Sequence, residues 1–182
     1  MESGVMVMES GVMVIERGVM VMESGVMVME SGVMSVYFIL QVFTVEAMMP
    51  YVKHLVGAHS KNLFLKDKKK GLWLVTALHD RQVNLNDLAR KLGCGSGNLR
   101  FADEATMLEK LKVTKGCATP FALLCDKQVD VKFVLDSGFV EGGHEMVYFH
   151  PMTNTATMGI MPDDFMRFVT ATGHEPKILK FE

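Results

Sequence analysis

A seven-residue unit repeated five times opens the chain and limits what that segment can become. MESGVMV, MESGVMV, IERGVMV, MESGVMV and MESGVMS follow one another without interruption to Ser35. A period of seven suggests a coiled coil. Each unit, however, carries a glycine (Gly4, Gly11, Gly18, Gly25, Gly32), and each costs a helix roughly 1 kcal/mol. No oppositely charged pairs flank an apolar seam; Glu recurs at one fixed position only. Short V-M-V runs between S-G breaks fit β-strands better, with a tendency to aggregate. The reading is an in-frame repeat without function of its own over residues 1–35, followed by one domain over 36–182. Glu interrupts every apolar run, so no secretory leader is expected. The apolar stretch 33–45 is too short to span a bilayer, and no membrane association is expected.

The repeat distorts the bulk figures. It holds nine of the 17 Met and five Glu against one Arg, so the overall net charge of -2 sums an acidic tail and a mildly basic remainder. Within that remainder, residues 57–115 carry 12 basic and 6 acidic side chains, whereas residues 116–182 carry 5 and 9. A domain with one basic half can meet a polyanion there. The charge peaks at Lys66-Asp67-Lys68-Lys69-Lys70, which reads as a hairpin tip. Three cysteines (Cys94, Cys117, Cys125) without paired spacing point to a reducing compartment, hence the cytoplasm, and to thiols used as small core residues.

Local signals alternate along the domain. Thr44 caps a helix over 45–55 that Pro50 limits or kinks. Runs 62–66 and 72–78 form a hairpin around the Lys loop. Asn84 or Asn86 caps a helix to Leu92, which Gly93 stops. A short strand at 99–102 precedes a helix capped by Asp103 that runs to Leu111. Runs 121–125 and 131–135 read as a second hairpin, and 146–149 with 155–160 as a third. Pro162 starts a helix to Thr172, and 177–181 is a last strand. Hairpins interspersed with helices imply an α/β or α+β domain with a mixed, largely antiparallel sheet.

Several chemical signatures fail on inspection. Gly93-Cys94-Gly95-Ser96-Gly97-Asn98 looks like a phosphate loop, but it follows a helix and has Asn98 where the fingerprint needs Gly. His144-Glu145 would need His at position 148 for a zinc helix, where Tyr148 stands. Cys117 has no evident base beside it. Two loops remain. Ser60-Lys61-Asn62 opens a strand with a cation and an amide at a sheet edge. Gly116-Cys117-Ala118-Thr119-Pro120 is a small-residue turn whose free N–H groups suit an ester carbonyl or oxyanion. On these residues alone, ordinary turn chemistry is the better account of both.

A resemblance gives those loops a meaning. VFTVEAMMP (42–50), GAHSKNLFLKDKKK (57–70), VTALHDRQVNLNDLARKLG (75–93), GSGNLRFAD (95–103), KGCATPFAL (115–123), FVLDSGFVEGGHEMVYFHPMTN (133–154) and DDFMRFVTATGH (163–174) closely resemble the YbaK/ProX aminoacyl-tRNA deacylase family. The resemblance implies a single α/β domain with a mixed sheet flanked by helices. It also implies hydrolysis of a mischarged aminoacyl ester from tRNA, without metal or cofactor. The K-N-L-F form looks like the branch acting on Ala-tRNA(Pro). Carried over residue by residue, it implies catalytic roles for Lys61, His150 and Gly116. It implies substrate contacts from Asn62, Ala118, Thr119, Pro120 and His144. The basic stretch suggests tRNA contacts from Lys66, Lys68, Lys69 and Lys70. The expected partner is the acceptor end of tRNA(Pro), with prolyl-tRNA synthetase or an elongation factor as further candidates. Two other readings stay open: an inactive module that binds tRNA or a synthetase, and an aberrant product in which the repeat stands where the family has an N-terminal helix.

Overall fold

The computed structural model describes the backbone of residues 5–8, 11–16, 19–22, 25–28 and 35–38, and, with side chains, residues 43–67, 71–95 and 97–182. Four apolar runs of the repeat, β1 (Val5–Met8), β2 (Gly11–Glu16), β3 (Val19–Met22) and β4 (Gly25–Val28), pair in sequence order as an antiparallel meander. β-branched Val alternating with Met suits a pleated backbone.

A second sheet carries the rest of the chain. Its order is β12 (Lys177–Leu179), β9 (Val131–Asp136), β7 (Gly71–Leu78), β6 (Ala58–Asp67), β10 (Val147–Phe149), β11 (Ala156–Ile160) and β5 (Ser35–Phe38), and β8 (Leu99–Phe101) pairs with the far end of β6. β12–β9, β9–β7 and β6–β10 are parallel, and the other four pairings are antiparallel. The sheet is therefore mixed and mostly antiparallel, as the sequence implies.

Both faces of this sheet are covered, which explains why β7 reads as an unbroken apolar run. Leu74 and Leu78 face one core and Trp73, Val75 and Ala77 the other. The first core is aromatic. Phe149 of β10 stacks on Phe165 at 4.4 Å between centroids, and Phe121 meets both Phe149 and Phe168 edge-on. Phe165 and Phe168 come from α5 (Pro162–Ala171), whose first turn holds Asp163 and Asp164 at its positive end. The second core packs α2 (Leu85–Lys91) on the sheet through Leu88 and Ala89, with Asn84 Oδ1 accepting from the N–H groups of Asn86 and Asp87. The cap is Asn84, the first of the two candidates.

The elements before the core match their signals closely. Thr44 Oγ1 accepts from Ala47 N–H at 3.2 Å and opens α1 (Val45–Val52). Asp103 Oδ1 accepts from Thr106 N–H at 2.9 Å and opens α3 (Glu104–Leu111). Three assignments differ, one of them the short helix Gly138–Glu141, where the sequence signals predict no element. No element was assigned to 35–38, which forms β5 and pairs with β11. Residues 121–125 are not a strand: Pro120–Cys125 is a 3-10 helix, and β9 enters the sheet between β7 and β12, parallel to both. A five-residue apolar run does not reveal its period. Pro120 decides it, because it fixes φ at the first helical position and lacks the N–H that a central strand would need. The turn out of this helix is held by Asp126, whose Oδ2 accepts from Val131 N–H at 2.7 Å and lies 3.2 Å from His174 Nε2, both side chains being buried.

Among the described residues no helix is long and apolar enough to cross a membrane. Phe165 is fully buried between two rings. Phe165→Ala is expected to cost about 3–5 kcal/mol of stability, read as a shifted denaturant midpoint with an unchanged m-value. A shift under about 1 kcal/mol would mean that the aromatic stack does not anchor this face.

Candidate functional site

β6 has a gap along one edge. On the side away from β7 it pairs with β10 at Ala58 and His59 and with β8 at Leu65–Asp67. Among the described residues no strand pairs with residues 60–64 on that side. Ala58 N–H donates to the Met146 carbonyl at 3.0 Å, and Ala102 N–H donates to the Phe64 carbonyl at 2.9 Å. Both Ala58 and Phe64 thus turn their main-chain groups away from β7. By the two-residue alternation of a strand, Asn62 between them turns its N–H and C=O into the gap.

A cavity of about 750 Å³ opens at this place. It is lined by Ser60, Lys61, Asn62 and Leu63 of β6, by Gly116 and Ala118 of the turn before the 3-10 helix, and by His150 after β10. Thr44 and Met48 of α1, Phe101 of β8 and Met107 of α3 complete the wall. Lys61 and Asn62 project from opposite faces of the sheet. They reach one cavity because the edge between the faces is open.

Each polar side chain has a defined role. Asn62 Oδ1 accepts from Thr76 Oγ1 at 2.7 Å, which leaves Nδ2 as a buried donor without a partner. His150 Nδ1 lies 3.3 Å from the Ala156 carbonyl. A carbonyl only accepts, so Nδ1 carries the proton and the neutral ring presents Nε2 as an acceptor. Burial pushes the His150 pKa down, and the carbonyl contact offsets part of that shift. Burial also lowers the Lys61 pKa from its ordinary value, against the pull of Asp80, Glu46 and Asp136.

Gly116 is required twice over. Its φ is +85°, and a Cβ there would stand 2.8 Å from Phe43 Cδ1 and 3.2 Å from Asn154 Nδ2. Asn154 Nδ2 and Thr119 Oγ1 are themselves buried without partners. Three orphaned polar groups therefore surround one turn, where folded proteins leave few.

The expected residues divide. Lys61, Asn62, Gly116, Ala118 and His150 meet at the cavity. Thr119 and Pro120 are buried behind its wall. His144 lies beyond the short helix α4 (Gly138–Glu141), against Gly142, and does not line the cavity. Lys66 pairs with Asp103 at the β6–β8 edge, and Lys66 and Thr106 hold the Asp103 carboxyl well below the usual carboxylate range. Lys68, Lys69 and Lys70 lie outside the described residues. Phe43, Met48, Phe101 and Asn154 were missed. Of these only Phe101, an aromatic beside Arg100 on a short strand, carried a readable signal. Among the described residues no group of three His, Cys, Asp or Glu side chains is placed to hold a metal ion.

Comparison with known proteins settles the kinship. The model of the aminoacyl-tRNA editing domain matches residues 40–168. The chain belongs to that family. The matched residues take in the whole cavity and leave the repeat outside. Prolyl-tRNA synthetase associated domain-containing protein 1 of Bos taurus is 75% identical over 143 residues, 78% of this chain and 83% of that protein. The prolyl-tRNA editing protein ProX of Acetoanaerobium sticklandii is 36% identical over 140 residues, 76% of this chain and 83% of its own. A crystal structure described as a candidate trans-editing enzyme for prolyl-tRNA synthetase superposes with a TM-score of 0.59 at 19% identity, covering 82% of this chain and 86% of that one. It shares the fold.

Gly116→Ala in this editing domain is expected to cost about 1–2 kcal/mol of backbone strain and to displace Phe43 from the cavity wall. Thermal melting gives the first and the quenching of a cavity ligand's fluorescence the second. An unshifted melt would contradict the left-handed geometry at this position.

Proposed function

We propose that this protein is a trans-editing aminoacyl-tRNA deacylase that hydrolyses mischarged Ala-tRNA(Pro) to free alanine and tRNA(Pro). The observation that carries the reading is the convergence of Lys61, Asn62, Gly116 and His150 on one cavity at an unpaired strand edge. An aminoacyl ester is already activated, so the site needs no covalent nucleophile; it must hold the ester and admit one water. The carbonyl lies against the Asn62 main chain and Nδ2. These donors are fixed in place and partnerless before substrate arrives, as electrostatic stabilisation of an oxyanion requires. Lys61 draws the acceptor end toward the edge. His150 Nε2 accepts from the attacking water. The water oxygen bonds to the carbonyl carbon, the ester C–O bond breaks, and the released ribose oxygen takes up the proton. Cys117 is not needed.

Selection of alanine follows from the wall. Ala118, Met48 and Gly116 line the cavity beside Asn62 and form the wall against which the aminoacyl side chain is read. Steric exclusion of a pyrrolidine ring there discriminates more strongly than the roughly 10–200-fold that one methylene gives by binding alone. The basic excess of residues 57–115 suits an acceptor stem, with affinity that falls as salt rises.

The test is deacylation of Ala-tRNA(Pro) and Pro-tRNA(Pro) by the full chain. Alanine release should exceed proline release at least ~10-fold, and Lys61→Ala should lower kcat/KM by about 10²-fold. Equal release from both tRNAs overturns the specificity, and no release from folded protein overturns the enzyme. The pH profile is independent of that ratio. Because burial lowers the His150 pKa, the acceptor form persists into mild acid. The midpoint of the acid limb should therefore lie below the ordinary histidine value of about 6.5. His150→Asn should remove that acid limb; a limb unchanged in the variant assigns the titration elsewhere.

A further inference from the structure

The cavity is larger than an alanyl ester requires. Its volume of about 750 Å³ falls in the range that buries a whole drug-sized ligand, roughly 300–1,000 Å³. The part nearest Lys61, Asn62 and Gly116 takes the ester. The far part ends at Phe101, whose ring is 61% exposed although it lines the cavity. An exposed phenyl gains little from folding, yet the backbone that carries this one is fixed in the sheet. Phe101 is the β8 residue opposite Leu65, and the next residue bonds to the Phe64 carbonyl. Lys61, Leu63 and Leu65 share one sheet face, and Phe101, paired with Leu65, shares it too. Four residues along β6 separate Lys61 from Phe101's register position, roughly 13 Å at about 3.3 Å per residue. A ribose and its base, with the lysine reaching toward them, bridge such a distance.

The charges around the ring are also right for a nucleotide. Arg100 beside it is exposed, and the exposed Lys115 lines the same cavity. Two carboxylates temper this. Asp103 occupies Lys66, and Glu104 lines the wall and accepts from the Lys115 main-chain N–H at 3.3 Å. Phe43 is the other exposed ring at the rim, but it leans on the Gly116 turn and belongs to the ester end.

We propose that Phe101 is the platform on which the 3′-terminal adenine of the substrate stacks, fixing the ribose so that the ester falls on the Asn62 edge. The inference rests on the deacylase reading for its ligand. Every base has a π-face, so the contact supplies affinity and position without reading sequence. Phe101 is a binding and positioning residue; it touches the base and not the reacting ester.

An uncharged acceptor-stem minihelix ending in 2-aminopurine in place of the terminal adenine tests this with the full chain. Stacking quenches 2-aminopurine, so binding to the wild type should quench it. Phe101→Ala should abolish the quench and weaken binding roughly 5- to 150-fold, while Phe101→Tyr retains both. A minihelix with an abasic 3′ end should bind wild type and Phe101→Ala alike. In turnover of the alanyl minihelix, Phe101→Ala should raise KM by a similar factor and leave kcat within about threefold. An undiminished quench in Phe101→Ala, or continued discrimination between adenine and the abasic end by that variant, overturns the proposal. Circular dichroism of both variants excludes misfolding as the cause. Quenching without hydrolysis would sink the deacylase reading and leave Phe101 in place. Hydrolysis with no effect of Phe101→Ala would sink the platform alone.

Discussion

The site depends on an unpaired length of β6. A strand inside a sheet normally spends both edges on its neighbours, and a buried free edge is costly because its N–H and C=O groups lack water as well as partners. Here β10 leaves β6 after His59 and β8 does not join until Leu65. The interval is too short to admit another strand and long enough to expose one residue's main chain fully. β7 on the other side keeps its ladder from Ser60 to Asp67, so the edge is open and rigid at once. A loop could expose the same groups but could not hold them in place before substrate arrives.

The polar groups nearby follow from that rigidity. Thr76 sits opposite Asn62 on β7 and is fully buried. Its hydroxyl satisfies one end of the Asn62 amide and so orients the other end outward. His150 is oriented in the same way by the Ala156 carbonyl across the β10–β11 turn. In both cases a fixed partner, the Thr76 hydroxyl or the Ala156 carbonyl, chooses the face that the side chain presents to the cavity. Leaving Asn62 Nδ2 and Asn154 Nδ2 buried and unpaired costs free energy, on the order of 1–3 kcal/mol each. Such costs are tolerated where a ligand removes them.

Much of this was legible in the sequence, and the exceptions share a cause. Caps were readable because they are local: Thr44, Asn84 and Asp103 each bond within three residues. The hairpin of β6 and β7 was readable because its turn signal and its apolar runs are contiguous. The 3-10 helix at Pro120 was misread because five apolar residues carry no usable period, and β5 because an apolar run beside a repeat gives no boundary. The cavity wall could not be read at all from spacing. Phe43 with Met48, Phe101 and His150 come from three distant parts of the chain and line one cavity only through the order of the strands, which the sequence expresses nowhere locally. Lys61, Asn62 and Gly116 were found through resemblance to a family; pattern alone left them as ordinary turn residues.

Pro120 connects the misread helix to the chemistry. It ends the Gly116 turn and starts the 3-10 helix in the same step, since its ring fixes the φ that both need. The helix then sinks Phe121, Ala122 and Leu123 into the aromatic core, and that packing holds the turn from behind. The turn's left-handed Gly116 faces the cavity, and its Pro is buried on the core side. A strand in the place of the helix would carry Thr119 and Ala118 on alternate faces and pull the turn open. The small-residue loop can therefore be both bare toward the cavity and firm underneath because the segment after it is a helix.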